Sequence, residues 1–291
     1  MGQDVRRWLV GLGAVAATAA VVLSQAGVAG AASAGSAGIA GSKQLSASQA
    51  SASQAGASQA SSGQIGRGVL AGQLAPGSVY VPTGQVLIPG DHGPAVRALQ
   101  QRLNFLRYYP GKIDGQFNAM TLEAVWAFKE VQGISTASHA NVVGAVFQRK
   151  LLNPRLPRVL VPHGGPGRIE VSKNTGVLVL YSHGKVRLIS HVSTGGNCLP
   201  GQGCGWDTPD GNYLALSFLP GWIQVPLGEM FNPVFFIGRA YAIHGELDSA
   251  VPLYPASHGC VRIPMEVANF LHKLVRIGTT HIYIRGHNFY G

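Results

Sequence analysis

Residues 168–192 read RIEVSKNTGVLVLYSHGKVRLISHV and mark the point where the chain turns from helical to extended patterning. Ile169-Glu170-Val171 is a short run, Val177 to Tyr181 is continuously apolar, and Lys185 to Val192 alternates in part before ending at Ser193-Thr194-Gly195. Short apolar and β-branched runs of this kind pack as strands. Asn212 to Phe218 and Ala240 to His244 extend the pattern. Glu266 to Val275 then puts Val267, Phe270, Leu271 and Leu274 on one helical face, Gly278 stops it, and Thr280 to Ile284 closes as a strand. For residues 168–286 this predicts a mainly β body, sandwich- or barrel-like, with one C-terminal helix.

Upstream, residues 86–153 predict a small all-α domain of three helices. Pro94 suits a first turn, and Val96, Leu99, Leu103 and Leu106 recur at helical spacing. Asp114-Gly115 marks a turn, Thr121 is expected to cap a second helix with a stripe of Leu122, Val125 and Phe128, and Val143, Val146, Phe147 and Leu151 suggest a third. Residues 154–167 are rich in Pro and Gly and are expected to be a linker. Residues 32–85, including SASQASASQAGASQASSGQ, have too few large apolar side chains to offset ordering entropy and are expected to act as a tether. Residues 1–31 fit an export signal: Arg6-Arg7, an apolar run from Trp8 to Leu23, then Ala29-Gly30-Ala31 for cleavage. A Sec signal is preferred over a twin-arginine one, with a retained membrane anchor as the alternative.

Charged residues make up only 12%, yet the net charge is +10 and the pI about 9.8. That balance suits a polyanionic partner such as an anionic wall or membrane face, or an ordinary solvated basic surface. No Lys/Arg block exceeds a pair and no zinc-finger spacing or aromatic-basic motif occurs, which argues against nucleic acid. Of three cysteines, Cys198 and Cys204 are candidate disulfide partners in a Gly/Pro-rich loop, which would leave Cys260 as a free thiol; the alternative is three inert buried thiols.

The chemistry concentrates in Ser257-His258-Gly259-Cys260-Val261-Arg262. A thiol attacks as thiolate and needs a base or a positive field, and His258 and Arg262 each stand two residues away, on the same side of an extended chain. Gly259 permits close approach of a substrate backbone. Tyr241-Ala242-Ile243-His244-Gly245 reads as a buried strand presenting a histidine at its end, sixteen residues before Cys260, with Pro252 and Pro255 turning the chain between. Thr208-Pro209-Asp210-Gly211 follows Ser193-Thr194-Gly195-Gly196 as a third element.

Together these motifs resemble the L,D-transpeptidase (YkuD-like) catalytic domain over residues 168 to 286. The stretch from Gly93 to Phe128, through Ile113-Asp114-Gly115-Gln116-Phe117 and Thr121, resembles a small peptidoglycan-binding domain. The resemblance implies Cys260 as nucleophile and His244 as general base, with the Gly245 carbonyl orienting the imidazole. Ser257, His258, Gly259 and Arg262 take supporting or substrate-binding roles, the amides near Cys260 help hold the oxyanion, and residues 218–239 form a lid. It implies a thioester route to 3→3 cross-links between peptidoglycan stem peptides, acylation of Cys260 by carbapenems, and no cofactor or metal. The expected partners are stem peptides and glycan, met outside the cytoplasm by an exported monomer. The alternatives are an L,D-carboxypeptidase, in which water accepts the acyl group, and a non-catalytic wall-binding protein. A papain-related peptidase is disfavoured because His precedes Cys, and a metal-binding protein because the ten histidines are scattered singly.

Overall fold

Apolar spacing determines the first three elements of the structure, a computed structural model that describes residues 77, 79–196, 206–246 and 251–287. The export signal, most of the tether, Cys198 and Cys204 lie outside the described residues. Helix α1 (Pro94–Phe105) buries Val96, Leu99 and Leu103 completely, with Leu106 half-buried just past its end. Helix α2 (Ala119–Gln132) is capped by Asn118, whose side chain accepts from the Thr121 amide at 3.0 Å. Thr121 therefore does not cap; its buried hydroxyl donates to the Pro110 carbonyl and accepts from Gln100. Asn118 takes the role because it is extended and stands three residues before that amide. In α3 (Ala145–Leu152) Phe147 and Leu151 are buried, but Val146 points outward and is 53% exposed.

Two mixed sheets follow. The first orders its strands β3 (Lys185–His191), β2 (Val177–Ser182), β1 (Arg168–Ser172), β10 (His281–Arg285) and β4 (Gly211–Leu214). The second orders β5 (Ser217–Phe218), β7 (Gly228–Ile237), β8 (Tyr241–Gly245) and β9 (Val261–Ile263), with β6 (Trp222–Val225) also paired to β7. β1–β10 and β8–β9 are parallel; the other pairs are antiparallel. Helix α4 (Met265–Leu274) packs on β7 and β8. The predicted strand at 212–218 is divided at Ala215-Leu216, where the chain passes from one sheet to the other: the Ala215 amide bonds Thr280 and the Leu216 amide bonds Phe235.

The continuous apolar run in β2 now has a cause. Leu178 and Leu180 face the core between the sheets, with Ile243, Val261 and α4. Val177, Val179 and Tyr181 face the other way, into a core shared with the helices. A strand buried on both faces needs no polar alternation. The helices also cover the open edge of the sheet: Tyr108 bridges to Ile189, and the Ile189 amide donates to the Arg107 carbonyl at 2.8 Å. Residues 154–167 are fastened on both sides. Gln132 exchanges two hydrogen bonds with the Arg155 backbone, and Glu170 accepts from the Leu160 and Val161 amides. No helix among the described residues is long and apolar enough to cross a membrane.

Candidate active site

The site is built across two adjacent parallel strands, with His244 near the end of β8 and Cys260 just before the start of β9. The β8–β9 register sets His244 beside Arg262 and Ile243 beside Val261. Side chains alternate along a strand, so Cys260, immediately before β9, falls on the face of Arg262 and His244. The chain is not extended throughout the motif. Gly259 has φ 116°, and a Cβ there would lie 2.1 Å from the Tyr241 ring. His258, Cys260 and Arg262 nevertheless line one cavity of about 340 Å³ together with His244 and Ser257. The β6–β7 hairpin supplies the facing wall through Val225, Leu227 and Met230. The segment 218–239 is thus largely paired strand, with its hairpin tip at the cavity. Two larger clefts, about 530 Å³ around His163 and His281 and about 620 Å³ beside Glu130, contain no thiol, so chemistry rather than size selects the site.

His244 is 5% exposed and its Nδ1 donates to the Gly245 carbonyl at 3.0 Å. A carbonyl only accepts, so Nδ1 carries the hydrogen and Nε2 keeps its lone pair. Burial holds the imidazole far below its usual range, at about 4; the Gly245 bond opposes this and the Arg262 charge adds to it. Burial pushes the Cys260 thiol up, against a backbone contact from Ala242 and the charge of Arg262. At neutral pH the resting pair is therefore thiol and neutral imidazole. The thiol donates to the Ala240 carbonyl at 3.8 Å.

Ser257 is spent on the loop's own shape. Its hydroxyl donates to the Cys260 carbonyl at 2.6 Å and accepts from the Gly259 amide at 3.1 Å. That turns the Gly259 amide inward, away from an oxyanion role. His258 stands edge-on to Trp206 at 6.0 Å. Arg262 Nε lies 2.8 Å from Glu246 Oε2, an ion pair without the alignment of a hydrogen bond.

Two supports escape a reading of the sequence. Buried Lys173 contacts Asp207 and Asp210 at 2.7 Å each and the Thr208 carbonyl at 2.9 Å, which pins the loop at 208–211. Glu246 restrains Arg262. Only the rarity of a lysine between a strand and its turn, and of an acid right after His244-Gly245, hints at either. Among the described residues no cluster of three or more His, Cys, Asp or Glu could hold a metal ion.

The two-sheet body, with a buried histidine and a cysteine on adjacent parallel strands, has counterparts among known proteins. Residues 166–284 match the model of the L,D-transpeptidase catalytic domain, and residues 92–136 match that of a putative peptidoglycan binding domain. The L,D-transpeptidase (residues 123–326) from Xylanimonas cellulosilytica is 31% identical, with 70% of this chain and 100% of that one covered and a TM-score of 0.61. An L,D-transpeptidase (Yku) from Stackebrandtia nassauensis is 17% identical over 72% of this chain and 100% of that one, with a TM-score of 0.41. L,D-transpeptidase 1 from Mycobacterium tuberculosis is 19% identical over 42% and 62%, with a TM-score of 0.32. A search of the curated proteins finds no match. The chain belongs to the L,D-transpeptidase family.

Proposed function

We propose that this chain is an active L,D-transpeptidase that forms 3→3 cross-links through an acyl thioester on Cys260. The observation that carries the reading is that His244, with Nδ1–H held by Gly245 and Nε2 left with its lone pair, lines the same cavity as Cys260. In the first half-reaction the thiol proton passes to His244 Nε2 as Sγ attacks the carbonyl of the third residue of a tetrapeptide stem. The amide C–N bond then breaks, and His244 returns the proton to the departing D-Ala amine. In the second, a side-chain amine of a neighbouring stem attacks the thioester, His244 takes its proton, and Sγ leaves as the thiolate that His244 reprotonates. Arg262, held by Glu246, supplies positive charge beside the developing anion, and the Cys260 amide is the donor left for the oxyanion. The match of residues 92–136 supports a wall-binding role for the helices, in keeping with a reaction outside the cytoplasmic membrane.

The test is intact-protein mass spectrometry with a carbapenem and, separately, a disaccharide-tetrapeptide, beside Cys260→Ala and His244→Ala. An adduct that vanishes in Cys260→Ala, with D-Ala release and dimer formation, is the expected result. D-Ala release without dimer would make water the acceptor and the enzyme a carboxypeptidase. No adduct and no turnover would leave a wall-binding protein.

A further inference from the structure

The loop that carries Cys260 is held both by the β body and by helix α2. Between residue 251 and β9 its backbone is tied at successive points. The Val251 amide donates to Glu123 Oε1, and the Pro252 carbonyl accepts from His191 Nε2 at 3.2 Å. The Tyr254 carbonyl accepts from the Ser193 hydroxyl at 2.7 Å, and the Ala256 and Ser257 amides donate to the Thr194 carbonyl at 3.1 Å each. The later ties come from the strand end after β3. The first two depend on α2, since Glu123 bonds the loop directly and Glu130 bonds His191 Nδ1 at 2.8 Å.

The spacing on α2 is suited to this. Glu123 and Glu130 are seven residues apart, two helical turns, and so share a face. Trp126 lies between them and stands edge-on to the His191 ring, 5.6 Å away at 79°. Glu123 and Trp126 are buried and the Glu130 side chain is 10% exposed, in a helix whose other buried positions are mostly apolar. Carboxylates in such a place are costly unless they hold something. The Pro252 carbonyl only accepts, so His191 Nε2 carries a hydrogen, and Nδ1 and Glu130 share a proton across 2.8 Å. Burial raises Glu130 to about 7 against the pull of His191, while, against burial, Glu130, then Glu123 and the Pro252 carbonyl, raise the imidazole to about 9.

We propose that Glu123, Glu130 and His191 are positioning residues for the acyl-transfer site: through them the helical part of the chain sets the path of residues 251–259 and hence the placing of the Cys260 thiol. The proposal rests on Cys260 being the nucleophile. It assigns the helices a part in catalysis besides any contact with the wall. A displacement of about 1 Å at a reacting atom can cost on the order of 100-fold in rate, so a slack first tie is felt at the thiol while the donor pocket, built from the β6–β7 hairpin, is left in place.

The experiment uses the full chain with Glu123→Gln, Glu123→Leu, His191→Leu and wild type. Glu123→Gln keeps an oxygen to accept from Val251; Glu123→Leu does not. Three quantities are read: kcat and KM for D-Ala release from a disaccharide-tetrapeptide, the rate of Cys260 alkylation by iodoacetamide, and the melting midpoint. The expected result is a kcat within about twofold of wild type for Glu123→Gln, and about tenfold or more lower for Glu123→Leu and His191→Leu. KM is expected to stay within about twofold, with an alkylation rate that shifts in the same two variants. Unchanged kcat and alkylation in either folded Leu variant would overturn the proposal. So would an equal loss in Glu123→Gln and Glu123→Leu, since the acceptor would then be irrelevant. If Glu123→Leu does not fold, His191→Leu against Glu123→Gln decides the matter alone. Alkylation needs no wall substrate, so a wild type that releases no D-Ala defeats the transpeptidase reading while the positioning of the thiol is still measured.

Discussion

A thiol next to a neutral, buried imidazole behaves differently across pH from a preformed ion pair. On the proposed mechanism His244 acts unprotonated, so a folded value of about 4 should move the acid limb of kcat/KM from near the usual imidazole value down to about 4. The same shift sets a stability window. His244 is depressed in the folded state, so its contribution is fully present above about 6.5, its unfolded value, and is lost as pH falls through 4, amounting to roughly 3 kcal/mol. Denaturation curves for His244→Gln should be flatter than wild type between those limits; an identical slope would contradict the assignment. Gly259 makes a second residue-scale test. Its φ of 116° and the Tyr241 ring, 2.1 Å from where a Cβ would sit, leave no room for a side chain. Gly195 is equally confined, since its Cβ would sit 2.5 Å from Gly259 Cα. Gly259→Ala should cost about 1–3 kcal/mol and slow Cys260 acylation. Ser257→Ala, which loses two buried hydrogen bonds at once, should cost about 1–3 kcal/mol as well, by urea denaturation.

At the scale of elements, the loop at 208–211 and the strand end before it form a clamp around the cysteine motif. The Gly195 amide donates to Thr208 Oγ1 at 2.6 Å, and the Gly196 amide donates to the Ser257 carbonyl at 3.2 Å. Lys173 holds the outer side of that clamp, and its two carboxylate partners differ from it in exposure: its side chain is 2% exposed, theirs 56% and 45%. The difference predicts an asymmetry. Lys173→Met returns both carboxylates to water and should cost about 1–2 kcal/mol. The double change Asp207→Asn, Asp210→Asn strands a buried ammonium and should cost more, about 3–5 kcal/mol. Urea midpoints decide it, and the reverse order would show that the ion pairs are not what holds the loop. The elements differ in how plainly the sequence shows them. Strands β1 and β2 and helix α4 are legible because a whole face of each is apolar, and β3 because it alternates in part. Strand β9 is not, because its three residues sit inside a motif that reads as chemistry. The lid expected at 218–239 rests on the family resemblance; Pro226 and Pro233 hide the paired strands of the β6–β7 hairpin, and Pro233 falls where β7 slips register. The split at Ala215-Leu216 leaves no local signal, since both halves read as strand. At the site, Cys260 and His244 are visible in spacing, whereas Glu123, Glu130 and His191 meet only after α2 folds onto β3.

For the whole molecule, the decisive feature is that the helices complete the first sheet rather than hang from it. Val177, Val179, Tyr181 and Ile189 join the core of the helices, chiefly through α2, and Tyr108 bridges the β3 edge. Residues 79–196, 206–246 and 251–287 fall in one compact unit by their contacts. Removing residues 86–153 would expose that two-sided strand face and open a sheet edge, so the remainder should aggregate or melt well below the full chain. The intact protein should unfold in a single transition for the same reason, because neither core is closed without the other. Calorimetry on the full chain gives the check, with the calorimetric and van't Hoff enthalpies expected to agree. Two separated transitions, with the later one unchanged in a fragment beginning at residue 154, would mean that the shared core contributes little. Wall binding by the helices is accordingly best tested by exposed substitutions on α1 and α3 that leave this face covered, because a deletion would confound lost binding with lost fold.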